Sequence, residues 1–294
     1  MIGAADLETL ETAVADAIRT RDASQLHLLG HGEVSIALGW PPGEPKYACK
    51  RLPPFDSTAA YARYATVVEG YVEELRRRGV RVVETELKSL QRPDGKVVGF
   101  HIQPALPPES IGTAVLRRSS PAPDHPLIDA VIEAVMHGTG DRVGIDAQFS
   151  NWSWMDGEAT QIDLTTPFAL DERDQPAFDM TPFLAALPAA VRPIVRREMV
   201  KLLPRFMTPR GTLLDLAANT IKAGLGEWVE PLLERVNERV DPPVTFAEAD
   251  RVYRSDKSTF TLVLRLERAN RFWQERIRRR PYEFLLPDST TYDS

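Results

Sequence analysis

Leu7, Leu10, Val14, Ala17 and Ile18 recur at helical spacing and predict an amphipathic helix over residues 4–20, packed on whatever follows it. Strand-like segments come next. Leu26 to Leu38 reads as strand, turn, strand, and Tyr47 to Leu52 as a further strand after the Pro41–Pro45 turn. A long helix, capped by Asp56 or Ser57 and stopped at Gly79, carries the buried stripe Tyr61, Tyr64, Val68, Tyr71, Val72 and Leu75. Val80 to Leu90 and Lys96 to Gln103 predict two more strands around Pro93-Asp94-Gly95. The first 105 or so residues therefore read as five strands and one long helix behind a leading helix.

Beyond residue 105 the pattern is mostly helical. Pro107-Pro108 and the Ser- and Pro-rich stretch 117–126 are loop, and Leu127 to His137 is a short apolar helix. One hairpin interrupts. Trp152 and Trp154 lead into Met155-Asp-Gly-Glu158, and Ala159 to Ile162 lead out; Asp-Gly between apolar runs is a strong hairpin signal. Phe206, Leu213, Leu216, Ile221, Leu225, Trp228 and Leu232 supply the expected core of the larger part. An acidic stretch (170–180), a basic one (192–210) and a basic helix from Arg265 to Arg280 with Phe272 and Trp273 read as solvated faces.

Composition narrows the class without naming a function. At 294 residues the chain can bury a sizeable core, and 43% hydrophobic with 27% charged residues is ordinary for a globular protein. A net charge of −6 signals no general affinity for nucleic acid. The single cysteine, Cys49, excludes an internal disulfide framework and fits a reducing, cytoplasmic setting. No apolar run approaches a membrane span and no secretory signal is evident. The scattered histidines include no i, i+4 pair for zinc, and neither a Gly-x-Ser-x-Gly elbow nor a P-loop is present.

The candidate chemistry centres on Asp146, Asn151 and Asp163. A hairpin returns its ends to one place, so Asn151 and Asp163 are expected side by side with Asp146 in reach. Three oxygen-bearing side chains suit a hard cation with a proton acceptor beside it. Lys50 alternates with Cys49 on its strand, so it faces either something anionic or a sheet edge. Gly30-His31-Gly32 through Ser35 is either a plain hairpin turn or a loop whose N–H groups approach phosphate. Glu69, Glu73 and Glu74 are the acids on the long helix.

Taken in order, these features resemble the protein-kinase-like superfamily, nearest its aminoglycoside and choline phosphotransferase branch, over residues 26–168. The resemblance implies a bilobal α+β fold. A small five-stranded antiparallel N-lobe with one long helix would span residues 1–105, and a mostly helical C-lobe residues 106–294. It implies ATP and Mg²⁺ as cofactors and phosphoryl transfer to a hydroxyl of a small molecule or peptide. Gly30, His31, Gly32 and Ser35 would cover the phosphates, and Lys50, aimed by Glu69, would hold them. Gln103 and Ala105 would meet adenine, Asn151 and Asp163 would bind the metal, and Asp146 would act on the acceptor hydroxyl. Three places depart from that pattern. Ser35 replaces the third glycine, Gly144 stands where the family has histidine, and Leu164-Thr165 replace Phe-Gly. The competing expectation is a catalytically inactive kinase-like protein that senses nucleotide or binds a partner.

Overall fold

The computed structural model describes residues 2–31, 35–279 and 282–284. It is an α+β protein, with a five-stranded antiparallel sheet followed by a helical C-terminal part. Helix α1 (Ala4–Thr20) precedes strands β1 (Leu28–His31), β2 (Ile36–Trp40) and β3 (Tyr47–Arg51). Helix α2 (Thr58–Arg77) then crosses to β4 (Glu86–Gln91) and β5 (Val97–Pro104). The strands lie in the order β1-β2-β3-β5-β4, so β5 sits between β3 and β4. Next come α3 (Gly112–Arg117), α4 (Pro126–Gly138) and a hairpin of β6 (Trp152–Met155) and β7 (Glu158–Gln161). Helices α5 (Arg192–Leu202), α6 (Pro209–Lys222), α7 (Val229–Asn237) and α8 (Phe246–Phe272) complete the chain's regular elements.

Alternation along the strands sends side chains to two different cores. Leu7, Leu10 and Val14 of α1 pack with Ile36, Leu38, Cys49, Phe100 and Ile102 on one face of the sheet. Lys50, next to Cys49, is therefore turned to the other face, where α2 lies. Gly99 of β5 permits the contact there, since a Cβ at that position would come within 2.4 Å of the Tyr61 ring. The α2 stripe is the expected one, and Tyr61, Tyr64, Val68, Tyr71 and Leu75 join a cluster that continues through α4, α6 and α7. Ser57 caps α2 by accepting from the Ala60 N–H at 3.2 Å, and Gly79, at φ +83°, takes the left-handed turn after it.

Two elements differ from expectation. The strand expected over Val80–Leu90 begins only at Glu86, where its pairing with Ile102 of β5 starts. Upstream of that point the backbone finds another partner: Val83 donates to the Gln161 carbonyl and Gln161 to that of Arg81, both at 2.9 Å. The basic helix expected from Arg265 starts nineteen residues earlier, at Phe246. Thr245 and Glu248 account for its start. The threonine hydroxyl accepts from the Glu248 N–H at 3.3 Å while the Glu248 carboxylate accepts from the Thr245 N–H at 3.0 Å. Residue 280, where that helix was expected to end, lies outside the described residues.

Candidate functional site

The hairpin forms because its turn suits only special residues. Asp156 (φ +53°) and Gly157 (φ +78°) supply the left-handed pair that a two-residue reversal needs. Register Trp152↔Gln161 then brings both ends together, and Ile162 donates its N–H to the Asn151 carbonyl at 2.8 Å. Asp163 follows directly. Its Oδ1 accepts from the Thr165 N–H at 3.1 Å, from the Thr165 hydroxyl at 2.9 Å and from the Lys50 ammonium at 3.2 Å. Lys50 also donates to the Ile162 carbonyl at 2.6 Å, and Gln103 Nε2 donates to the same oxygen at 3.0 Å. Strands β3 and β5 of the sheet thus hold the residues that follow the hairpin.

Burial disfavours ionised Asp163, but Lys50 and the two Thr165 donors outweigh it and hold the carboxyl below its ordinary range. Asp146 is the opposite case. It is half-buried, accepts from the Gln148 N–H at 3.4 Å and from the Gln148 side chain at 3.0 Å, and forms no ion pair among the described residues. Burial, then the negative charges of Asp215 and Asp163, push it up to about 7. Two carboxylates of one site, one held charged and one poised near neutrality, fit an electrostatic role and a proton-accepting role respectively.

A model of the family described as "Family of unknown function (DUF6206)" matches residues 9–271. The chain belongs to the DUF6206 family. No curated protein matches it.

Within this DUF6206 chain, several other residues singled out from the sequence hold other contacts or face solvent, and Gln103 stands beside Lys50 on the Ile162 carbonyl. Glu69 is exposed on α2, and among the described residues no hydrogen bond or ion pair joins it to Lys50. The buried stripe at Val68 and Val72 turns position 69 outward. Gln103 is buried, and its amide is committed to Thr85 Oγ1 and the Ile162 carbonyl, both at 3.0 Å. The Ala105 N–H donates to the Lys46 carbonyl at 2.9 Å, so it does not stand free for a base. Gly30 and His31 pair with Ala37 and Ile36 in the sheet, Ser35 is half-buried, and Gly32 lies outside the described residues.

The residues that tie α2 to the site are tyrosines, which carry no motif. Tyr64 donates to the Thr165 carbonyl at 2.8 Å and Tyr71 to the Gly144 carbonyl at 2.9 Å. Tyr64's single proton is spent on that carbonyl, so its oxygen accepts from His101 Nε2 at 2.9 Å. Burial and then Lys50 push His101 down to about 3, keeping the ring neutral. The only signal for this in the sequence is that three tyrosines share the apolar stripe, because a buried hydroxyl needs a partner.

Gly144 also has a local cause. A Cβ there would lie 2.2 Å from the Phe206 carbonyl oxygen, so the loop backbone rests directly on the segment before α6. Its N–H donates to the Phe168 carbonyl at 2.7 Å. Backbone packing and the Tyr71 hydroxyl brace the Asp146 loop here. Replacing Tyr71 with phenylalanine is expected to lower stability by about 1–2 kcal/mol, the effect of one buried carbonyl left without its donor. Urea denaturation should show an earlier midpoint with an unchanged slope.

Proposed function

We propose that this protein is an ATP- and Mg²⁺-dependent phosphotransferase of bilobal kinase-like architecture, acting on a hydroxyl of a small molecule or peptide. One observation carries the reading. Lys50 on β3 reaches Asp163 beyond the hairpin at 3.2 Å, across 113 positions of sequence. The strand order β1-β2-β3-β5-β4, with α2 between β3 and β4 in the chain, supports the same architecture.

The residues fit a nucleotide-bound metal better than a metal held by protein alone. No group of three or more His, Cys, Asp or Glu able to hold a metal occurs among the described residues. All three donors to Asp163 fall on Oδ1, which leaves Oδ2 available, and the Asn151 side chain is not hydrogen-bonded among the described residues. One carboxylate and one carboxamide, completed by phosphate oxygens and water, is an ordinary set for Mg²⁺. Such an ion would neutralise charge on the transferred phosphoryl group.

The chain's own groups would do the rest. Lys50 would give up its contact with the Ile162 carbonyl and place its ammonium on a phosphate. Asp146, with its carboxyl near 7, would take the acceptor hydroxyl's proton as that oxygen bonds to the γ-phosphorus and the bridging P–O bond breaks. A non-catalytic nucleotide sensor or partner-binding scaffold is the second reading. The exposed Glu69 favours it, and the engaged Ala105 N–H favours the scaffold over the sensor.

Thermal denaturation with and without Mg·ATP tests both. Nucleotide at a hundred times its Kd should stabilise the protein by about 2.7 kcal/mol, and Lys50→Ala and Asp163→Ala should remove that gain. Absence of a shift at millimolar nucleotide would sink both the enzyme and the sensor. A shift without any phosphorylated product, in an acceptor screen read by mass, would leave the sensor.

A further inference from the structure

Among the described residues, no helix is long and apolar enough to cross a membrane. The C-terminal end of α8, with the π-helical turn Trp273–Ile277 that continues it, nevertheless has a surface suited to lying on one. Phe272 is 62% exposed, Trp273 52% and Ile277 55%, whereas Trp152 and Trp228 are fully buried and Trp40 and Trp154 partly so. Arg265, Arg268 and Arg276 are exposed beside them at helical spacing. From residue 262 to 279 the chain has six arginines against two acids, Glu267 and Glu275, while the whole protein carries −6. Neither acid is fully exposed, and Glu275 is already paired with Arg21.

The patch continues onto a second helix. Arg192 at the start of α5 donates to the Ala185 and Leu187 carbonyls, and Asn270 of α8 donates to that of Ala186 between them. The two helices therefore meet at one turn. Helix α5 has no buried residue at all, and its Ile194 is 64% exposed between arginines 192, 196 and 197.

We propose that this corner, the end of α8 with the start of α5, docks the protein peripherally on an anionic lipid surface. Aromatic and aliphatic side chains would enter the headgroup–acyl boundary while the arginines meet lipid phosphates and carboxylates. A second copy of the chain fits poorly. Self-pairing of this face would set arginine against arginine, with no fully exposed acid among residues 262–279 and with Glu198 of α5 already paired with Lys201. A nucleic acid would engage the arginines but leave Ile194 and Ile277 without a purpose.

Co-sedimentation of the full chain with vesicles tests the idea. Binding is expected to vesicles containing phosphatidylserine, weakening with salt, and not to pure phosphatidylcholine. Arg265→Glu with Arg268→Glu should reduce partitioning at least about 25-fold, since each basic residue near such a surface contributes roughly a fivefold factor. Phe272→Ser with Trp273→Ser should also abolish most binding, while circular dichroism and melting stay at the parent values because both side chains are exposed. The proposal is overturned if anionic vesicles do not pull the protein down at low salt. It is equally overturned if the aromatic pair can be removed without effect while single-stranded nucleic acid competes, which would make the corner a polyanion site.

Discussion

Asp146→Asn should slow the proposed phosphoryl transfer by a factor of ~10²–10⁴, the usual worth of general-base help, and make the nucleotide-free protein more stable at the same time. The two effects share one cause. In the folded chain Asp146 is held at about 7 against an ordinary value of 3.8. A group whose folded pKa is raised favours the folded state while protonated, so its contribution is present at low pH and is lost as pH climbs through the window from about 4 to 7. Asparagine cannot ionise and escapes that loss. It also keeps an oxygen for the Gln148 N–H, and the Gln148 amide can reverse to offer its own oxygen. At pH 8 a gain of about 1–2 kcal/mol is expected after discounting for the half-exposed position, and little or none at pH 4. Paired denaturation curves at these two pH values, with a turnover assay at pH 8, check both halves. A variant that is equally stable at the two pH values relative to the parent would show that Asp146 is not strained by burial.

The largest loss of stability is expected far from Asp146, at the contact between α1 and β3. Arg51 and Glu11 form a buried pair joined by two bonds, Nε to Oε2 at 2.6 Å and Nη2 to Oε1 at 2.8 Å, with side chains 6% and 10% exposed. Removing one partner strands a charge out of water, so Glu11→Ala should destabilise by about 3–5 kcal/mol. Replacing both, as Glu11→Leu with Arg51→Leu, should recover most of this, because desolvating two ions offsets most of their attraction. A double-mutant cycle in urea measures the difference. Arg51 is also the neighbour of Lys50. Loosening β3 against α1 should therefore weaken the proposed nucleotide binding even in molecules that stay folded, and the double leucine variant should restore it.

Parts of this architecture are legible in the residues and parts are not. The α2 stripe, the α1 face and the hairpin around Asp156-Gly157 follow from spacing and from residues that alone tolerate a left-handed turn. The return of Ile162 to the Asn151 carbonyl follows from the hairpin. Long-range partnerships leave no periodic trace. Nothing near Val80–Val83 announces that this backbone leaves the sheet to pair with Gln161, and nothing in Gln103 announces that its amide supports Ile162. Spacing from Lys50 points to Glu69, whereas the helix periodicity that buries Val68 and Val72 turns residue 69 to solvent. The proton-holding character of Asp146 comes first from burial and then from Asp215, which lies 69 positions later and is itself raised to about 6, first by burial, with Arg205 and Asn219 as its partners. No local pattern could connect them.

The cluster that runs from the α2 tyrosines through α4, α6 and α7 sets the mechanical character of the region around Lys50 and Asp163. Where two bodies share only a hinge, they can gape and close as rigid pieces. Here the helix behind the lysine strand is rooted in the opposite half by aromatic rings and two hydroxyls, Tyr64 and Tyr71. Any wide separation of the two would have to tear that root, so motion around Lys50 and Asp163 is left to side chains and short loops while the scaffold stays shut.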